Sequence, residues 1–311
     1  MTGHRNNSGI IVIGRGLVGL VSDAPLAETS QYRREALGNA LVTAVSTSRM
    51  GIETAFVTRI GSDPHTNWLL SVWDDEHLHL DHVQRGKGTN NLLIVGPDDE
   101  FVPFADGSSA VSLHESDVEH LPWTMSVLGY ASGALHHGEE SAHPVVIRAF
   151  SDARRHGVRT VYNPSLHPSR WSLESPHGVR NAFLEIVEHV DVLILKAPYG
   201  SAQLLDEASA EDAAAAGLNL GVHQVIVRDP SGGCVVATPH GTHILAGHGR
   251  GLHAAMDGTF DGILLAGLAR GLTIEDAART TLEILGTHFT SVGQGYVGLQ
   301  GIPNDWLDDY T

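Results

Sequence analysis

Short apolar runs that alternate with helix-spaced stretches constrain this chain more than any single motif. Ile10-Ile11-Val12-Ile13, bounded by glycine, reads as a buried strand, and Thr54-Ala55-Phe56-Val57 reads as a second. Between them Leu37, Leu41, Val42 and Val45 recur at helical spacing, which predicts a helix over 35–50 that stops at Gly51. Beyond Val127 the alternation becomes regular. It predicts strands at 127–130, 159–163, 192–195 and 224–228, with helices at 144–156, 179–189 and within 209–216. Paired strands at 234–237 and 241–245 and helices at 258–270 and 274–289 complete the series. Strands separated by helices pair in parallel through crossovers, so the pattern predicts an α/β, doubly wound, mainly parallel sheet flanked by helices.

Two stretches break the rhythm. Leu17-Val18-Gly19-Leu20-Val21 alternates toward Pro25, and Asn91–Val95 and Glu100–Phe104 form a strand pair joined by Gly96-Pro97-Asp98-Asp99. Together they predict a small β appendage on one large domain, and 311 residues suffice to bury its core.

Charge and cysteine content narrow the function. A formal charge of −17 opposes binding to a nucleic-acid backbone or an anionic membrane and favours a small-molecule ligand. The single cysteine, Cys234, excludes an internal disulfide and suits a reducing cytoplasm, and its apolar neighbours Val235 and Val236 mark it as a buried thiol. Residues 1–9 lack the apolar core of a signal peptide, and no run is long and apolar enough for a membrane span, so a cytoplasmic location is expected. The 20 histidines are scattered, and His136, His137, His240, His243 and His248 show no ligand spacing, so no protein-ligated metal is expected.

Two glycine motifs point to anions. Gly14-Arg15-Gly16-Leu17-Val18-Gly19 fits the dinucleotide fingerprint, which would make the chain an oxidoreductase, but the fingerprint needs a helix opening at its third glycine and the residues here are extended. Ala255-Met256-Asp257-Gly258-Thr259-Phe260-Asp261 runs instead into the small, apolar segment 262–270. A turn that opens a helix presents free N–H groups and a positive dipole end to an anion, and a carboxylate in that turn can take a proton from a hydroxyl.

In this order the segments resemble the ribokinase-like, PfkB-type sugar and nucleoside kinases. Ala36–Val45 with the exit Ser48-Arg49-Met50-Gly51 resembles that family's P-G-G-x-x-x-N-x-A helix, and Thr54–Asp63 its next strand and G-x-D turn. Tyr162-Asn163-Pro164-Ser165-Leu166-His167 resembles D-P-N-x-R, Val190–Leu195 precedes the place of N-x-x-E, and 257–261 stands at the closing G-A-G-D turn. The resemblance implies a single ribokinase-like domain over 1–311 with a small β-sheet lid at about 15–35 and 88–108, and ATP with Mg2+ as cofactors. It implies Asp261 as general base with Gly258, Thr259 and Phe260 as the anion turn. Gly38, Asn39, Asn163 and His167 become candidate substrate contacts, and Lys196, Arg228 and Gly233 candidate nucleotide contacts. A homodimer through the exposed lid strands is a further expectation.

Several ligand positions depart from that pattern. Gly19 stands in place of the Asp that binds sugar hydroxyls, Leu37 in place of the first glycine of the G-G pair, and Val42 in place of its Asn. Tyr199 replaces the Glu of N-x-x-E, Pro230 replaces a glycine, Ala255 replaces the Asp that opens the last motif, and Phe260 fills the glycine before the base. Two readings follow: a kinase for a less polar acceptor, or a family member whose fold serves binding, regulation or other chemistry.

Overall fold

In the computed structural model, the residues described are 9–97, 100–104, 112–133, 142–166, 176–247 and 257–289. Strand β1 (Gly9–Ile13) is buried along its whole length. Its side chains alternate between two apolar layers, Ile10 and Val12 in one, Ile11 and Ile13 in the other, as the two-residue period of a strand requires. That is why it reads as an uninterrupted apolar run.

β1 pairs in parallel with β4 (Thr54–Ile60) and β8 (Ser126–Ser132). The parallel series continues through β9 (Arg159–Asn163), β10 (Val192–Lys196) and β11 (Gln224–Arg228). Two antiparallel strands, β12 (Cys234–Thr238) and β13 (Gly241–Leu245), finish one edge, and β5 (Val83–Arg85) finishes the other. One face carries helices α1 (Asn39–Arg49), α2 (Thr66–Asp75), α7 (Asp257–Ala269) and α8 (Ile274–Phe289). The other carries α3 (Ala142–Arg155), α4 (Pro176–Val187), α5 (Tyr199–Leu205) and α6 (Ala210–Asn219). The expected doubly wound architecture is present.

The second sheet is the appendage. Its strands are β2 (Leu17–Val21), β3 (Arg33–Leu37), β6 (Leu92–Val95) and β7 (Phe101–Phe104), in the order β3–β2–β6–β7. Leu17, Val21, Leu37, Leu93 and Val95 form its own buried cluster. Here the helix expected from residue 35 is corrected: Glu35, Ala36 and Leu37 belong to β3, where Leu37 pairs with Leu17. The backbone turns at Gly38, φ +125°, and the helix begins at Asn39. Leu37 fits the helical spacing of the residues after it, but β3 claims it. The third glycine of the dinucleotide fingerprint, Gly19, lies inside β2, so no helix opens there. Helix α2 is absent from the sequence reading. Only Thr66, Leu69 and Trp73 of it are buried, one narrow stripe.

Gly19 and Leu37 fit one another. A Cβ placed on Gly19 would run into Cγ and Cδ1 of Leu37, whose side chain is buried in the second sheet. The leucine thus occupies the space that a side chain at 19 would need.

Helix α7 is buried on nearly all sides, from Gly258 to Ala266, which explains its even apolar character. It approaches α1 through two glycines one turn apart. A Cβ on Gly258 would lie 2.7 Å from the Asn39 carbonyl oxygen and 2.8 Å from Val42 Cβ. One on Gly262 would lie 2.5 Å from Ser46 Cβ and 2.7 Å from the Thr43 carbonyl oxygen. Because backbone atoms form part of each obstacle, Gly262→Ala must push the two helices apart. We expect a loss of about 1–3 kcal/mol, read as a fall in the thermal unfolding midpoint of roughly 2–4 °C per kcal/mol. An unchanged midpoint would show that the contact is looser than described.

Candidate active site

The C-terminal ends of β8 to β11 and the N-terminal ends of α1 and α7 converge, as parallel strands and their following helices must in this fold. The central group is Asp261, in the first turns of α7 and fully buried. Its Oδ2 accepts two short hydrogen bonds, from the Tyr130 hydroxyl at 2.6 Å and from Asn163 Nδ2 at 2.6 Å. Its Oδ1, also buried, has no hydrogen-bond partner among the described residues.

Tyr130 is the hub. It stands on β8, fully buried, and its hydroxyl oxygen accepts from Asn39 Nδ2 at 3.1 Å while donating to Asp261. The same Asn39 amide reaches Ser132 Oγ at 3.1 Å. Thr43 donates to the Asn39 carbonyl at 2.8 Å, locking the first turn of α1 around this network. Asn163, at the end of β9, turns its Oδ1 to the Ser165 amide at 2.8 Å, which fixes the other amide nitrogen on Asp261. Tyr130, Thr43 and Ser132 escape a reading by motif. The available signal was a tyrosine at the end of a buried strand, whose hydroxyl must find a partner.

Charge surrounds the start of α7. Arg228 ends β11 with its guanidinium buried, and its Nη2 pairs with Asp257 in the helix's first turn. Lys196, one strand over at the same register, reaches Asp257 Oδ1 at 3.4 Å. The Arg228 guanidinium also stands 4.9 Å from the centre of the Phe260 ring, a cation–π distance. Its Nε is buried without a hydrogen-bond partner among the described residues. Burial opposes the charge of Arg228, but the carboxylates of Asp257 and Asp261 outweigh it and hold its pKa above the ordinary value.

The sequence-predicted residues are therefore distributed as follows. Gly258, Thr259 and Phe260 lie inside the first turn of α7, all buried. The backbone at Phe260 is ordinary helix and not among the left-handed positions, so a phenylalanine sits there without backbone strain. Asn39 and Asn163 meet at Tyr130 and Asp261, and Gly38 supplies the left-handed turn that starts α1, where a Cβ would strike the Arg15 carbonyl. Lys196 and Arg228 meet at Asp257. Gly233 sits at the start of the β12–β13 hairpin, packed against the Leu245 carbonyl and the Gly247 amide. His167, with His136, His137, His248 and Ala255, lies outside the described residues. Among the described residues no three His, Cys, Asp or Glu side chains are grouped to hold a metal, and no helix is long and apolar enough to cross a membrane. Cys234 is buried, which pushes its thiol up to about 12.

Phosphate oxygens suit this arrangement. The first-turn amides of α7 have no partner within the helix, the dipole is positive there, and Arg228 and Lys196 add cations. Beside these groups stands a carboxyl group with one oxygen unpartnered among the described residues.

Burial, partly offset by Arg228, Tyr130 and Asn163 and reinforced by Asp257, raises the pKa of Asp261 from 3.8 to about 6. An acid whose pKa is raised on folding stabilises the fold fully below its unfolded pKa, and that contribution is lost as pH rises through the folded value. Between about pH 4 and 6 the protein should lose roughly 3 kcal/mol from this group. Asp261→Asn removes the dependence. The unfolding midpoint of the variant should rise relative to the unaltered protein as the pH is taken from 4 to 7, and parallel curves would contradict the assignment.

Residues 9–282 match the family described as pfkB family carbohydrate kinase. A 5-dehydro-2-deoxygluconokinase of Shouchella clausii is 21% identical over 288 residues, covering 87% of this chain and 86% of that protein. A ribokinase of Staphylococcus aureus is 25% identical over 125 residues, covering 39% of this chain. That match spans 40% of the ribokinase, less than two thirds of its length. Among solved structures, a fructokinase from Xylella fastidiosa with bound ATP superposes with a TM-score of 0.80 at 17% identity, covering 96% of this chain and 95% of the other. At that identity the likeness shows the fold alone.

Proposed function

Because the chain belongs to the pfkB family of carbohydrate kinases, we propose that it transfers the γ-phosphoryl group of ATP to a hydroxyl of a small metabolite, a sugar, nucleoside or related alcohol, with Asp261 as general base. The observation that carries this reading is the buried carboxylate with one satisfied and one orphaned oxygen beside a cationic helix start. Tyr130 and Asn163 hold Oδ2 and thereby fix the plane of the carboxylate. Oδ1 is left to accept the proton of an acceptor hydroxyl. A pKa near 6 leaves most of the group ionised at neutral pH yet basic enough to assist deprotonation.

Bound at this site, ATP supplies the phosphoryl group, and Mg2+ accompanies its phosphates to neutralise charge. The residues that fit those phosphates are the α7 first-turn amides of 257–260, Arg228 and Lys196. Arg228 meets the requirement most directly, since its buried Nε has a donor to offer. Asp257 pairs with both cations, so phosphate contacts formed by Arg228 or Lys196 come with rearrangement of these pairs. The acceptor side is less polar than a polyhydroxylated sugar needs: Leu37 fills the lid next to Gly19, and Val42 packs against Gly258. An acceptor with few hydroxyls at that end needs neither of the two polar side chains that these residues replace. A cytoplasmic location suits the single buried thiol.

Asp261→Asn should retain ATP-dependent thermal stabilisation and lower phosphoryl transfer by about 10²- to 10⁴-fold, the usual weight of a general base. Turnover retained in the variant would remove Asp261 from that role. No stabilisation of the unaltered protein by ATP-magnesium or ADP would leave a pfkB fold without kinase chemistry. We also propose a homodimer through the lid. A monomeric mass in light scattering at micromolar concentration would reject it.

A further inference from the structure

At the opposite end of the sheet, β9, β10 and β11 begin around a cleft of about 440 Å³, the size of a small-molecule site. Its polar lining comes from Arg154 at the end of α3, Arg159 at the start of β9, Asp191 before β10, and His223 and Gln224 at the start of β11. In a chain of net charge −17, two guanidinium groups and an imidazole around one carboxylate are a local reversal of sign.

The single carboxylate is largely engaged elsewhere. Asp191 Oδ2 accepts the Thr160 amide at 2.9 Å and lies 3.0 Å from the Thr160 hydroxyl, and Oδ1 stays 3.9 Å from the Arg154 guanidinium. Arg154 spends one arm on the Glu188 carbonyl at 2.9 Å, just beyond the end of α4, which accounts for that arm as a helix cap. Arg159 donates Nη2 to the neutral Oε1 of Gln224 at 3.0 Å. Burial holds its pKa below the ordinary arginine value and Asp191 restores only part of the loss. A guanidinium drawn out of water toward an uncharged partner gains most from an anionic one.

We propose that this cleft binds a small metabolite through an oxyanion, phosphoryl or carboxylate, held by Arg159 and Arg154 with His223 at the rim. Guanidinium forks match either anion in bidentate fashion, and the volume admits a body of several carbons behind the anionic group. The site is separated from Asp261 by the length of the sheet, since the same three strands end at Asn163, Lys196 and Arg228. Its existence does not depend on the kinase reading.

The test is calorimetric titration of the full chain with inorganic phosphate and, separately, with succinate, located by hydrogen exchange. Saturable binding of either probe is expected, with protection of segments 154–160 and 188–192. Arg159→Gln and Arg154→Gln should each weaken it roughly tenfold or more, the worth of a charge-assisted hydrogen bond. The response to ATP should stay unchanged in both variants. Phosphate alone binding there assigns the phosphoryl source, and succinate alone the carboxylate source. The proposal is overturned by absence of saturable binding of both probes, by protection confined to 257–261, or by binding that survives Arg154→Gln undiminished. Arg154 is solvent-exposed, so that variant decides the matter even if Arg159→Gln fails to fold.

Discussion

The close approach of α1 and α7 is the contact on which the site depends. Gly258 and Gly262 let the backbone of α7 sit against the carbonyl groups and small side chains of α1. That places Asn39 and Thr43 on one side of Tyr130 and Asp261 on the other. A carboxylate with no exposure is tolerable only if its surroundings are arranged in advance, because stripping water from an ion costs several kcal/mol. Here the arrangement comes from three separate elements, β8, β9 and β11, whose ends are registered by the parallel sheet. The helix pair closes the fourth side. Packing and electrostatics are thus one problem at this place.

A second layer of charge balance lies outside the first. Arg228 counters two carboxylates, Asp257 in a direct pair and Asp261 through space. Phe260, which fills a glycine position of the family pattern, provides the face against which this buried guanidinium rests. The residues around the start of α7 therefore form a connected set. Asp257, Phe260 and Arg228 make sense together and not singly. A cation buried without the carboxylate and ring would be a liability, and the ring without the cation would only crowd the helix start.

The sheet was legible in the sequence wherever both faces are covered, since apolar runs such as 10–13, 159–163 and 224–228 leave few other readings. Helix α8 was equally plain from its period and matches Ile274–Phe289. Boundaries failed where one residue serves two periods. Leu37 satisfies the spacing of α1 and the alternation of β3, and only tertiary pairing with Leu17 decides. Helix α2 was missed because its buried stripe is three residues wide. Of the site, the ends of the motifs were visible, Asn39, Asn163, Lys196, Arg228 and Asp261, because chain order and a turn signature flag them. Tyr130 was not: its importance lies in hydrogen bonds to residues 91 and 131 positions away, which no local pattern encodes.

The fit between Gly19 and Leu37 bears on how the small sheet tolerates change. Restoring a side chain at 19 while Leu37 remains forces a carboxylate or any larger group into a space already filled. Removing Leu37 first opens a void in a cluster of five buried residues among those described, where a lost leucine costs about 2–5 kcal/mol. Each single exchange disturbs the packing of the small sheet. The two positions are therefore locked to each other by sterics. A chain that carries this pair keeps it unless both residues change together, because either exchange made alone disturbs the small sheet.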